Sequence, residues 1–106
     1  MTAKLQKGIY LIISFNWPSN FTKEMAQNAK KLHEAVLAAS WIRETLAASG
    51  GIGSGASSLW AFWMEDYASL DRLLHNENDP VCQAYLAFFP SMVDVTENIR
   101  EQVVFL

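Results

Sequence analysis

The chain is expected to fold as α+β, an antiparallel sheet with helices packed on one side. Three observations carry that expectation. Short β-branched and aromatic runs alternate with helical periodicities, so the strands are interrupted by helices. Four of the five glycines crowd into one stretch, Ser49–Gly55, which marks a turn between elements. The 106 residues are half hydrophobic and only 18% charged, which suits one packed domain spanning 1–106 and excludes a disordered chain.

Gly8 to Trp17 is rich in β-branched and aromatic residues and is closed by Pro18, Ser19 and Asn20, the punctuation of a strand. Asn20 or Thr22 can cap a helix beginning at Lys23. Met25, Ala29, Leu32, Val36 and Ala39 then recur every three or four residues, with Gln27, Lys30, Lys31 and Glu34 opposite. This helix is expected to continue, kinked near Ser40, through Trp41, Ile42 and Leu46 to about Ala48. The glycine stretch ends it, and a short, glycine-weakened hairpin strand is expected before the strong strand Leu59–Met64. Asp66 caps a helix over Tyr67–His75 with Leu70, Leu73 and Leu74 as its apolar stripe. Asp79-Pro80 opens another, with Val81, Ala84, Tyr85 and Phe88 on one face and Pro90 as its stop. From Val93 to Leu106 the chain alternates, with Val95, Glu97, Ile99, Glu101, Val103 and Phe105 on one side of a final strand.

This order is that of the split βαβ, ferredoxin-like arrangement. Such a sheet normally has one polar face, yet here both faces are apolar. Trp60, Phe62 and Met64 point one way and Leu59, Ala61 and Trp63 the other, while Tyr10 and Ile12 add bulk opposite Ile9, Leu11, Ile13 and Phe15. The chain has helices enough for one face. Burying each large side chain is worth ~1.5–3 kcal/mol, so the second face is expected to be covered by another copy of the sheet in a two-fold homodimer.

Composition narrows the partners. A net charge of −3 offers no basic footprint for nucleic acid or an anionic membrane. No apolar run approaches the ~20 residues that span a bilayer. One cysteine, Cys82, allows no internal disulfide and points to a reducing compartment, the cytoplasm. His33 and His75 stand far apart, no acid, cysteine and histidine set has metal-site spacing, and no cofactor is expected. Ser49–Gly55 lacks the lysine and hydroxyl residue of a phosphate loop. Glu65-Asp66 reads as a strand end and a helix cap, and Arg43 and Arg72 as solvated helix residues.

The stretch from Leu59 to Leu74, an aromatic strand running into an acidic cap and a leucine-striped helix, together with Asn78–Tyr85, resembles the dimeric α+β barrel superfamily. Its members include antibiotic-biosynthesis monooxygenases, stress-responsive barrel proteins and haem-degrading relatives. The resemblance implies two sheets forming a barrel across the dimer and a pocket in each subunit between its own helices and sheet. It further implies either a cofactor-independent monooxygenase of phenolic substrates or a binding protein. Haem degradation in that superfamily uses an asparagine in the middle of the first strand and a histidine on the short later helix. Here those positions match Ile12-Ile13 and Tyr85, which counts against haem chemistry.

A pocket for a small, largely apolar ligand, aromatic or fatty-acid-like, is therefore expected. Its wall would comprise Tyr10, Ser14, Trp60, Phe62 and Met64 on adjacent strands, with Trp41 and Tyr85 closing it from the helices and Arg100 meeting a ligand carboxylate. Asn16 extends the semi-polar stripe of Tyr10 and Ser14. For catalysis the candidates are His75 and Tyr85, with Tyr10 and Trp60 helping to orient a phenol. His75 can act only if it faces the cavity, because it otherwise serves the end of its helix. A dimer whose cavity is filled, with no ligand, is the third alternative.

Overall fold

The computed structural model describes residues 7–105. Strand β1 (Ile9–Asn16) leads to helix α1 (Lys23–Ala38), and strands β2 (Ile42–Ser49) and β3 (Ser58–Met64) form a hairpin. Helices α2 (Tyr67–His75) and α3 (Pro80–Phe88) follow, then a 3-10 turn at Phe89–Ser91 and strand β4 (Val93–Glu101). The sheet runs β2-β3-β1-β4 with every neighbouring pair antiparallel. This is the ferredoxin-like order.

Each helix starts where its cap stands. Thr22 Oγ1 accepts from the Met25 amide at 3.2 Å, Asp66 Oδ1 from Ser69 at 2.9 Å and Asp79 Oδ1 from Val81 at 2.9 Å. Two backbone hydrogen bonds onto Asp66, with one from the Ser69 hydroxyl, hold its carboxyl below the usual range.

The expected helix from Lys23 to Ala48 is corrected. It stops at Ala38, because Ala39 turns extended (ψ 109°) and the chain enters β2. The spacing of Trp41, Ile42 and Leu46 suits a helix, but Thr45, Leu46, Ala47 and Ala48 instead pair with Phe62, Ala61, Trp60 and Leu59. The hairpin strand therefore precedes the glycines, which serve as its turn with Gly50, Gly51 and Gly55 at φ near +80°. The last strand ends at Glu101 and does not run to Phe105; Leu106 lies outside the described residues.

The helices cover one face of the sheet. There Leu11, Ile13, Phe62 and Met64 are fully buried against Leu32, Leu73, Val81 and Phe88. The opposite face has no helix on it, and Tyr10, Ile12, Leu59, Ala61 and Trp63 are only half-buried by one another. On that face Trp63 lies across Gly8, where a Cβ would stand 2.4 Å from the indole nitrogen, so only glycine fits beneath the ring.

Candidate functional site

α2 and α3 lie over the central strands and leave the β4 edge uncovered, which opens a cleft of about 570 Å3 between β4 and the helix layer. Leu74 and His75 of α2, Tyr85 and Leu86 of α3, Phe89, Pro90 and Met92 of the turn, and Val95 and Glu97 of β4 line it. The size and the mostly apolar wall fit a small-molecule site. Its polar centre follows from two periodicities. On α3, Val81, Cys82, Tyr85 and Phe88 all face inward, which drives the Tyr85 ring against Phe62 and, 4.7 Å away between ring centres, Phe89. On β4, alternation puts Glu97 opposite Ile13 on the helix-facing side of the sheet. The Tyr85 hydroxyl then reaches across the cleft and donates to Glu97 Oε2.

Burial, and after it the Glu97 carboxylate, pushes the Tyr85 hydroxyl well above the usual tyrosine range. Tyr85 is thus a hydrogen-bond donor and not a base. An ionised carboxylate only accepts, and Tyr85 takes one of its several lone-pair sites. The remainder suit a hydroxyl or N–H donor and disfavour a second carboxylate.

His75 stands at the rim with its side chain 71% exposed, and its Nδ1 lies 2.9 Å from Asp71 Oδ1. Since an ionised carboxylate cannot donate, Nδ1 carries a hydrogen toward Asp71, and in the neutral ring Nε2 is then the acceptor. A further pair fixes the two helices that form the wall. Arg72 Nε bonds Asp79 Oδ2 at 2.6 Å while its guanidinium lies 4.5 Å from the Trp41 ring centre.

The structure divides the eight expected ligand-binding residues among four places. Tyr85 alone joins the cleft, with His75 at its edge. Trp60, Phe62 and Met64 are core, packed with Ile9, Leu11 and Ile13; the Trp60 indole donates to Thr45 Oγ1 at 3.0 Å. Tyr10, Ser14 and Arg100 lie on the opposite, helix-free face. The reason is register: Tyr10 pairs with Trp63 and Ser14 with Leu59, so parity places the first-strand stripe with Trp63 and not with Trp60. Trp41 stacks on Arg72 at the far end of α1. Arg100 therefore cannot meet a carboxylate in this cleft.

Four other expectations need comment. Arg43 and Arg72 are not simply solvated: Arg43 sits on β2 with its guanidinium 5.0 Å from the Trp63 ring centre and donates to the Lys7 carbonyl, and Arg72 is held as above. His33 is exposed beside a second groove of about 260 Å3 that includes Trp17 and Ser49. Cys82 is buried, and burial raises its thiol further from ionisation. Asn16 links the sheet end to the glycine hairpin, accepting from the Ser57 amide and donating to Asp94. Among the described residues no three His, Cys, Asp or Glu side chains are placed to hold a metal ion, and no helix is long and apolar enough to cross a membrane. Glu97 is the site residue the sequence reading passed over, although its place between Val95 and Ile99 on the alternating last strand was its signal.

No protein-family model matches the sequence, and no curated protein matches it. Solved structures do. A hydroxynitrile lyase from Passiflora edulis superposes with a TM-score of 0.75 at 11% identity, covering 96% of this chain and 98% of that one. A dimeric ferredoxin-like protein of unknown function from Thermobifida fusca gives 0.71 at 13%, covering 92% of each chain. A DABB family protein with a ferredoxin-like fold from Mesorhizobium loti gives 0.63 at 11%, covering 92% and 97%. What these structures share with this chain is the ferredoxin-like α+β fold.

Proposed function

We propose that this chain forms a homodimer through the helix-free face of its sheet and binds a small, largely apolar molecule in the β4 cleft, oriented by Tyr85 and Glu97. The observation that carries the reading is the Glu97 carboxylate on the helix-facing side of the sheet, set among apolar residues and held by a buried tyrosine. Glu97 is exposed at the open β4 edge and satisfies the buried Tyr85 hydroxyl, and its remaining lone pairs are open to a ligand hydroxyl in the cleft. The ligand class that fits is an aromatic alcohol or phenol, and the acceptor-only centre makes a fatty or aromatic acid the poorer match. The dimeric Thermobifida fusca neighbour supports self-association.

A second reading is favoured by one observation. The Asp71–His75 pair at the rim leaves an imidazole acceptor beside the cleft, which is what proton abstraction from a phenol near neutral pH requires. A cofactor-independent monooxygenase would use His75 in that way, and molecular oxygen would be its oxidant. The Passiflora edulis neighbour shows that an enzyme can have this fold.

The test is binding of 1-naphthol, naphthalene and 1-naphthoate, followed by intrinsic fluorescence, with mass spectrometry of any passenger in freshly purified protein. The expected order is naphthol tightest and naphthoate weakest, with Glu97→Gln erasing the penalty against naphthoate. Tighter binding of naphthoate would contradict the reading. Oxygen uptake with naphthol that disappears in His75→Ala would establish the enzyme in place of the carrier.

A further inference from the structure

The helix-free face carries its residues in three rows that cross all four strands. Pairing of Glu44 with Trp63, Trp63 with Tyr10 and Tyr10 with Arg100 makes the first row Glu44–Trp63–Tyr10–Arg100. The second is Leu46–Ala61–Ile12–Asn98 and the third Ala48–Leu59–Ser14–Thr96. The first row thus has an acid at one edge of the sheet, a base at the other, and two aromatic rings between them. Among the described residues neither Glu44 nor Arg100 joins an ion pair; the Arg100 guanidinium touches only the Ile99 carbonyl and the Asn98 side chain of its own strand. The other cation near this row, Arg43, is the irregular residue before Glu44 on β2, with its guanidinium 5.0 Å from the Trp63 ring centre.

Two stacking arrangements of a pair of such sheets are compatible with two-fold symmetry and near-aligned strands. With the axis across the strands, the first row of one sheet meets the third row of the other, so Glu44 lies over Ala48 and Arg100 over Thr96. With the axis along the central strands, each row meets its own reverse. Glu44 then faces the partner's Arg100, and the pair occurs twice. Covering a charge without an opposite charge costs free energy that covering an ion pair largely recovers.

We infer that the two sheets of the dimer stack about an axis running along the central strands, locked in register by Glu44 and Arg100 of the partner subunit. The inference rests on the sheet-face dimer proposed above and specifies its geometry. Small side chains meet larger ones in the same arrangement, with Ala61 over the partner's Ile12.

A charge swap tests this on the full chain. Sedimentation velocity over a dilution series measures the dimer dissociation constant of wild type, Glu44→Arg, Arg100→Glu and the double variant. Each single reversal places two like-charge pairs across the interface and is expected to weaken the dimer about tenfold. The double variant is expected to return to within about threefold of wild type, because it restores both pairs in exchanged positions. Ala61→Arg, in the centre of the face, breaks the dimer in either orientation and so tests the face alone. Loss of the dimer in Ala61→Arg with no response to the single reversals, or no recovery in the double variant, overturns the orientation and leaves the sheet-face dimer standing. A wild type that is monomeric throughout overturns both.

Discussion

The two faces of the sheet are built from the same strands and both carry large apolar side chains, yet they end in different states. On the helix side Leu11, Ile13, Phe62 and Met64 have no contact with solvent. On the other side Tyr10, Ile12, Leu59 and Trp63 cover one another only partly, and Trp63 obtains its hydrogen-bond partner from Gln102 near the end of the chain. Helices complete the first face within the subunit. The second holds large apolar side chains at its centre and polar ones toward its edges, with the exposure of a surface, a combination that association resolves.

Substitutions separate the two roles. Phe62→Ala removes a fully buried ring from the helix side and is expected to cost ~3–5 kcal/mol of folding stability, read as a shift of the denaturation midpoint that does not depend on protein concentration. Ile12→Lys on the other face is expected to leave the fold of the subunit intact, because circular dichroism reads a secondary structure the lysine does not touch. It should raise the dimer dissociation constant by roughly a hundredfold, since one apolar side chain is withdrawn from each subunit. If Ile12→Lys unfolds the subunit and Phe62→Ala merely dissociates it, the assignment of the faces is reversed.

Tyr85 sharpens the comparison at the edge where the helix side becomes open. Tyr85→Phe leaves the Glu97 carboxylate without its donor and is expected to cost ~1–3 kcal/mol. The sign of the accompanying pH effect is fixed. Because the folded hydroxyl holds its proton above the ordinary value of 10.0, Tyr85 contributes stability that is complete below pH 10 and is lost as pH rises past it, when only the unfolded chain releases that proton. Chemical denaturation between pH 8 and pH 11 should therefore fall more steeply for wild type than for Tyr85→Phe. Equal slopes would mean that neither burial nor Glu97 holds the hydroxyl's proton.

Much of this was legible in the sequence. Asp66 and Asp79 fix the starts of α2 and α3 through capping chemistry, and the two-faced strands give away the uncovered side. β2 was not legible, because Ile42 and Leu46 with the preceding Trp41 fit a helical spacing and its alanines favour a helix; pairing with β3 overrides that propensity. The site was harder still. Whether Tyr10 shares a wall with Trp60 or with Trp63 depends on a register that differs by one residue, and nothing local in either strand states it. Glu97 was visible as an acid between Val95 and Ile99, but its meaning depended on Tyr85, twelve residues away on another element.

The most direct measurement is the sedimentation behaviour of the intact wild-type chain at micromolar concentration, with fluorescence quenching of Trp63 by acrylamide compared against Trp63→Phe. A species of twice the chain mass, in which the Trp63 signal is shielded and becomes accessible in Ile12→Lys, is the predicted result. A particle of one chain mass whose Trp63 is quenched as readily as a free indole would contradict it.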